Sequence, residues 1–372
     1  MKNRRILIFI ATALSLLGCN QPDLKLVPKN SVVYELGYAA RAQPCVFDED
    51  GKRYVGFGNL EATYLVSIFT EKGELVSVTD IYPAMERENC YAESYQCLSK
   101  DTIAILYNRC GDWLGLINSK GDSIRTYKFD DLGSNGLALQ RQFEHKDGKY
   151  WFEIGYSFWD LPEEEQPVYY SQYFRLVNHS PRLMMASGKD LENREYLMSA
   201  LTSRFAQDTH DVYEERVIEW VDDKLLCCSQ YCDTIYEFDT HGKLLRMVKI
   251  PSRTGKLSKK EKVHYRTSNE EWNEHTITDP MVADLLYDKY REVYYCIVKD
   301  TMYSHDFFDS TLFHIVIYDK ELNQRGYVSF NDFKHLPWCA FVGKKGLYIR
   351  QNSRDLYYRS RYTIFKCRRD YF

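Results

Sequence analysis

The sequence predicts an all-β chain built from six repeats of four short strands. Three observations predict it. A phrase of strand, tight turn and strand recurs along the chain, each copy follows a second hairpin, and the two chain ends are complementary. Within each arm apolar and polar residues alternate, the period-2 mark of strands. The turns carry Gly, Asn or Asp, which supply the backbone angles that hairpins need.

The first unit pairs "QPCVFDEDGKRYVGFG" (43–58) with "TYLVSIFTEKGELVSVTDI" (63–81). The second pairs "SYQCLSKDTIAILYN" (94–108) with "WLGLINSKGDSIRTYKF" (113–129). In the third, "LQRQFEHKDGKYWFEIG" (139–155) precedes a degenerate copy, "YSQYFRLVNHSPRLMMA" (170–186). The fourth joins "RVIEWVDDKLLCCSQ" (216–230) to "CDTIYEFDTHGKLLRMVKI" (232–250), and the fifth joins "VADLLYDKYREVYYCIV" (282–298) to "LFHIVIYDKELNQRGYVSF" (312–330). The sixth has "WCAFVGKKGLYIRQN" (338–352) and "RYTIFKCRRDYF" (361–372), where the chain stops one strand short. Second strands start near Tyr54, Ile103, Tyr150, Leu225, Val293 and Leu347, at intervals of 49, 47, 75, 68 and 54 residues. A repeat near fifty residues with four short strands is the signature of a β-propeller blade. The spare strand "SVVYELG" (31–37) is expected to fill the last blade, leaving no open sheet edge.

The turns within strand pairs one–two and three–four are short. Long insertions fall elsewhere, at 156–168, 187–214, 251–280 and 299–311, with shorter ones at 82–93 and 353–360. In an antiparallel blade, two–three loops and between-blade links leave from the same end, so the long connections are expected to crowd one face of the disc. Rigid scaffolds display functional loops in this way. Leu191, Leu197, Met198, Leu201 and Phe205 have a rough 3.6-residue spacing that predicts a helix within 189–205.

The N-terminus carries an address. Lys2, Arg4 and Arg5 precede an apolar run from Ile6 to Leu17, too short to span a bilayer but suited to a secretory signal. It ends in "LLGC", similar to the bacterial lipobox in which the Cys is diacylated and becomes the new N-terminus. The expected organisation is therefore a lipoprotein signal peptide at 1–18, a tether at 19–30 after lipidated Cys19, and a propeller at 31–372. Acyl chains supply about 0.8 kcal/mol per buried methylene. The expected partner is thus a membrane, met through the lipid anchor. Only Asp23 follows the Cys closely as an acidic residue, which favours the periplasmic side of the outer membrane over the cell surface.

Composition narrows the function classes. A net charge of −4 with no basic stripe argues against nucleic-acid binding. Of the eleven Cys, Cys19 goes to the lipid and most others lie in strand arms, where a thiol packs as a small apolar residue. Cys90 and Cys97 are the candidates for one bridge. "CCSQYC" (227–232) lacks metal-ligand spacing, and the nine His are dispersed, so no metal or other cofactor is implied. No nucleophile elbow occurs. The acidic run "WDLPEEEQP" (159–167) reads better as a helix start than as a catalytic carboxylate pair. Arg109, Trp113, Trp159, His305, Arg354 and Arg361 lie near the mouths of the two–three loops. Aromatic side chains beside Arg suit sugars, peptides or acidic groups, so these six are the candidate ligand-binding residues. The alternative for Trp113 and Trp159 is packing between blades.

The lipobox, the total length, and the phrases "VADLLYDKYREVYYCIV" and "HIVIYDKELNQRGYV" (314–328) resemble Bacteroidetes lipoproteins that carry the label domain of unknown function 4221. The resemblance implies a six-bladed propeller and a cell-envelope setting, with no catalytic motif to carry over. The sequence thus predicts a binding scaffold whose long-loop face holds an envelope protein, peptide or glycan. The alternative is a hydrolase, lyase or lactonase acting on a glycan or small ester in the central funnel. Convergent carboxylates in that funnel would favour the alternative, and an apolar filling would oppose it.

Overall fold

The computed structural model describes residues 24–38, 44–60, 62–88, 91–108, 113–129, 135–137, 143–146, 148–156, 183–197, 216–229, 234–241, 243–251, 281–302, 311–331, 333–352 and 359–369. β1 (Leu24–Glu35) opens the chain but joins the last sheet. Blade 1 is β2 (Cys45–Glu49), β3 (Lys52–Asn59), β4 (Leu65–Thr70) and β5 (Leu75–Asp80), followed by a short helix, α1 (Tyr82–Glu88). Blade 2 is β6 (Tyr91–Cys97), β7 (Thr102–Asn108), β8 (Trp113–Asn118) and β9 (Ser123–Lys128). In blade 3, β10 (Asn135–Leu137) and β11 (Glu144–Lys146) both pair with β12 (Lys149–Tyr156), followed by β13 (Leu183–Ser187) and β14 (Asn193–Leu197). Blade 4 is β15 (Arg216–Val221), β16 (Lys224–Ser229), β17 (Thr234–Asp239) and β18 (Leu244–Lys249). Blade 5 is β19 (Met281–Asp288), β20 (Val293–Met302), β21 (Thr311–Asp319) and β22 (Gln324–Phe330). Blade 6 is β23 (Phe341–Gly343), β24 (Gly346–Arg350), β25 (Arg359–Arg369) and, outermost, β1.

The sheets form a ring. Inner strand β2 touches β6 and β23, and β19 touches β15 and β23. Gln96 bonds Glu144 across blades 2 and 3, and Trp151 packs on Trp220 across blades 3 and 4. This is the six-bladed propeller that the repeats predict. The expected closure is present: β1 pairs with β25 antiparallel from Leu24↔Arg369 to Glu35↔Arg359, with one register shift at Pro28/Asn30. Pro28 has no N–H to donate and sits on the outermost strand, where a proline is tolerated.

Each seam between blades has its own apolar cluster. Ile68 and Ile105 mark the seam of blades 1 and 2, Leu106 and Phe152 the next, and Met185 and Tyr236 the third. Val282 and Cys228 meet between blades 4 and 5, and Ile297 and Leu347 between blades 5 and 6. The closing seam is aromatic. Tyr34, Phe57, Phe69, Phe341, Tyr348 and Tyr362 are all buried together, and the Tyr34 ring lies 4.8 Å from Phe57 and 5.6 Å from Tyr362. Burying a large apolar side chain contributes about 1.5–3 kcal/mol, so this seam can hold the two ends of the chain without a covalent link.

The recurring phrase is a recurring turn. The last residue of the third strand (Thr70, Asn118, Asp239 or Asp319) donates its N–H to the carbonyl four residues on in blades 1, 2, 4 and 5. Its side-chain oxygen accepts the N–H of that same later residue. Short polar side chains make this local bond well, which is why Thr, Asn and Asp occupy the position. Each such hairpin also has a register shift beside the turn, as at Ile68/Phe69 and Leu116/Ile117. Gly121 in blade 2 has φ +85°, and a Cβ there would meet the Asp80 carbonyl of blade 1 at 2.4 Å. The three–four turn of one blade is thus seated on the outer strand of the blade before it.

Several expected boundaries change. The tether expected at 19–30 is shorter, because Leu24–Asn30 already belong to β1 and pair with Ile364–Arg369. The degenerate third unit is shifted: Leu183–Ser187 is its third strand, not its fourth, and the turn comes at Gly188–Glu192. Gly188 (φ 94°) and Leu191 (φ 56°) bend the chain there, so Asn193–Leu197 is a strand where a helix is expected. The insertion placed at 187–214 therefore follows β14. The loop placed at 299–311 is shorter too, since β20 runs to Met302 and β21 begins at Thr311. α1 lies in the link read as a loop at 82–93. Cys97 is a free thiol that packs against Cys45, not a partner of Cys90, which lies outside the described residues.

Candidate functional site

The six inner strands enclose a cavity of ≈ 240 Å³ on the ring axis. Its wall is acidic. Glu144, Glu153, Glu219 and Asp284 reach it from blades 3, 4 and 5, with Gln96 from blade 2 and Arg53 from blade 1. Trp151, Trp220 and Tyr287 supply aromatic surface.

Local irregularities aim these side chains inward. In blade 3 the inner strand is interrupted: β10 pairs with Ile154–Tyr156 and β11 with Lys149–Trp151. Glu153, on the second strand, thereby lines the cavity. In blade 5 the β19–β20 register shifts between Val282 and Asp284, and a bulge of this kind re-aims a side chain. Asp284 is buried, and its Oδ1 accepts the N–H of Leu285 at 2.9 Å. Glu219 lies on β15 between Ile218 and Trp220, and its Oε1 accepts the Tyr287 N–H of the next blade at 3.2 Å. Gln96 Nε2 donates to Glu144 Oε2 at 3.3 Å, while Gln96 Oε1 is buried without a partner. The Trp151 and Trp220 rings lie 4.1 Å apart, and Trp220 Nε1 also has no acceptor.

Crowding shifts the protonation of this wall. Withdrawal from bulk water raises the Glu144 carboxyl to about 7, against the opposing pull of Gln96 and Lys146. Desolvation raises Glu219 well above the ordinary range, and the Glu144 and Asp284 charges push it further, while the Tyr287 N–H and Arg53 pull the other way. These are the two familiar routes to a raised carboxyl: burial and like charge. Both effects favour the protonated form of Glu144 and Glu219 over that of an exposed carboxyl.

The end of the channel beside the one–two turns is tied together. Arg53 Nε donates to the Val342 carbonyl at 2.9 Å, and its Nη1 bonds Asp48 Oδ2 at 2.8 Å. Lys289 of blade 5 reaches the same Asp48 oxygen at 2.6 Å, and Lys344 of blade 6 reaches the Gly51 carbonyl at 2.6 Å. Partial burial pushes the Asp48 carboxyl up, but Lys289 and Arg53 outweigh it and hold it below the usual range. Blades 1, 5 and 6 thus meet over one mouth of the channel.

Of the six candidate residues from sequence, Trp113 and Arg361 are described. Trp113 begins β8 and packs on the core between blades 1 and 2, with Lys128 Nζ 3.8 Å from its ring. Arg361 is exposed on β25 opposite Val33. Neither borders the cavity. Arg109, Trp159, His305 and Arg354 lie outside the described residues, as does Cys19. Sequence reasoning missed the carboxylates that do converge; the one local signal for two of them is an acidic residue inside an otherwise apolar inner arm, as in "RVIEWV" and "VADLLYD". Among the described residues, no three His, Cys, Asp or Glu lie close enough to hold a metal ion, and no helix is long and apolar enough to cross a membrane.

Fold and site together define a six-bladed propeller with a carboxylate-walled axial cavity. Residues 89–326 match the family model "Domain of unknown function (DUF4221)", and the chain belongs to that family. A crystal structure of a DUF4221 member from Bacteroides vulgatus is 16% identical, covers 94% of this chain and 100% of its own, and superposes with a TM-score of 0.71. That likeness establishes the fold alone. A Bacteroides fragilis protein described as a candidate exported protein is 10% identical, with 88% and 84% of the two chains covered and a TM-score of 0.48. A Bacteroides caccae protein of unknown function is 11% identical, with 82% and 94% covered and a TM-score of 0.41. No curated protein matches the chain.

Proposed function

We propose that the chain is an exported propeller, tethered to the cell envelope through acylated Cys19, that holds a small organic cation in its central channel. The observation that carries this reading is the convergence of Glu144, Glu153, Glu219 and Asp284 on one cavity, where among the described residues Arg53 is the one lining cation and is engaged with Asp48 and Val342. A cation offsets the mutual repulsion of the wall. Its N–H groups supply the donor that Gln96 Oε1 lacks. The Trp151–Trp220 pair offers a π face, to which cations are attracted. The signal-like N-terminus and "LLGC" support export and anchoring, with the periplasmic side of the outer membrane as the setting. Partner capture on the long-loop face is a separate proposal that rests on sequence alone. The test is calorimetric titration with a short aliphatic diamine and the neutral diol of equal length. The diamine binds and the diol does not, and Glu219→Gln weakens the diamine at least tenfold. Equal behaviour of diamine and diol, or an unaffected variant, overturns the reading.

The same convergence of carboxylates also meets the condition set from sequence for the alternative, and so favours a second reading, in which the cavity hydrolyses a glycan or small ester. A carboxyl near 7 beside a second raised carboxyl is the arrangement that general acid–base catalysis uses. Chromogenic glycosides and esters test it. Turnover that disappears in Glu144→Gln supports hydrolysis, and no turnover in the wild type removes it.

A further inference from the structure

β1 joins the ladder at Leu24, five residues after Cys19. An extended chain spans at most about 3.5 Å per residue, so an acylated Cys19 keeps Leu24 within about 18 Å of the bilayer surface. The outer corner of blade 6 is therefore beside the membrane wherever the anchor is inserted. That corner has its own chemistry. Lys25 pairs with Arg368 and Val27 with Lys366 across the β1–β25 ladder, and directly opposite residues share a face. Lys25, Val27 and Arg368 are exposed and Lys366 is half-buried. The alternate residues Leu26 and Phe365 turn the other way, into the core between blades 5 and 6. The face is thus three cations around one exposed apolar side chain, in a chain whose net charge is −4.

We infer that this corner, formed by Lys25, Val27, Lys366 and Arg368, is a membrane-docking surface that seats on anionic lipid headgroups of the bilayer holding the anchor. The inference rests on the acylation of Cys19 in the reading above. Basic side chains near an anionic leaflet are drawn to it over a distance comparable to the Debye length, so with the diacylated Cys19 supplying the attachment these cations set which part of the rim meets the headgroups. The propeller is then held by its rim at blade 6, and blade 3, opposite in the ring, faces away.

The experiment uses the full acylated chain in vesicles of phosphatidylethanolamine and phosphatidylglycerol containing a nitroxide-headgroup lipid. A coumarin-bearing amino acid replaces Val27 in one sample and Tyr196, exposed on β14 of blade 3, in another. The Stern–Volmer constant at position 27 exceeds that at position 196 at least threefold. Lys25→Gln, Lys366→Gln and Arg368→Gln together, all away from the cores, reduce it at least twofold, and so does replacing phosphatidylglycerol with phosphatidylcholine. Equal quenching at the two positions, or a triple variant that quenches like the wild type, overturns the docking surface while leaving the anchor intact. A chain whose Cys19 peptide has no acyl mass and that stays out of vesicles overturns both.

Discussion

Glu219 of blade 4 accepts a hydrogen bond from the main-chain N–H of Tyr287 of blade 5, at 3.2 Å, on the wall of the central cavity. One carboxylate oxygen is thereby fixed by the scaffold while the neighbouring Glu144 and Asp284 charges press on the group. The bond ties the position of an acidic side chain to the seam between two blades, so the site is built by the ring and not by any one blade.

The raised Glu144 carboxyl gives stability a pH dependence. Its folded value, about 7, lies above the ordinary value of 4.5, so the folded state binds more protons between those limits. Stability is greatest below about 4.5 with respect to this group and falls as pH rises towards 7. Glu144 is half-buried, so the change is of order 1–2 kcal/mol after allowing for solvent screening. Thermal melts from pH 5 to pH 7.5 show a falling Tm, and Glu144→Gln flattens the profile. A slope unchanged in the variant contradicts the assignment.

Arg53 holds the turn-side mouth through Val342 and Asp48. Arg53→Met leaves a main-chain carbonyl without its donor and Asp48 with Lys289 alone. The expected cost is about 1–3 kcal/mol in chemical denaturation, with no change of fold by circular dichroism. A neutral substitution contradicts the role given to this network.

Tyr34 is the test of ring closure. It is fully buried on β1, against Phe57 and Tyr362 and within 3.3 Å of the Glu71 carbonyl. Tyr34→Ala removes an aromatic side chain from the closing seam, and the expected loss is about 3–5 kcal/mol. A loss below about 1 kcal/mol would mean that β1 is not part of the cooperative structure.

Two glycines with similar backbone angles separate strain from contact. Gly51 (φ +71°) has open space around its missing Cβ, whereas at Gly121 (φ +85°) a Cβ would meet Asp80 O at 2.4 Å. Gly51→Ala costs about 1 kcal/mol, the left-handed penalty alone. Gly121→Ala costs at least about 1 kcal/mol more, because the backbone of blade 1 must move. Equal costs would contradict the seating of one blade's turn on its neighbour.

The blades were readable because each repeats a local code. The side chains of Asn118, Asp239 and Asp319 bond their own turns, so the signal lies within five residues. Closure was readable because the spare strand at 31–37 and the missing one in blade 6 balance. The third blade was misplaced because Leu191 and Leu197 fit a helical spacing with Met198, Leu201 and Phe205, while the strand "NREYL" itself has no apolar alternation. Only the positive φ of Gly188 and Leu191 decides for the strand. The cavity wall was not readable. Glu144, Glu219 and Asp284 lie 75 and 65 residues apart, and what joins them is the ring, not any local spacing. Trp113, chosen for its place near a loop mouth, points into a seam because a large aromatic at the end of a middle strand finds apolar neighbours there.

The central claim is that the carboxylate wall takes up a cation in exchange for protons. The most direct measurement is the number of protons released on binding a short aliphatic diamine at pH 7, from calorimetry in two buffers of different ionisation enthalpy. With Glu144 titrating near 7, about half a proton leaves that group, and the diamine binds more tightly at pH 8 than at pH 6. No proton exchange, proton uptake, or an affinity that falls as pH rises would contradict the account.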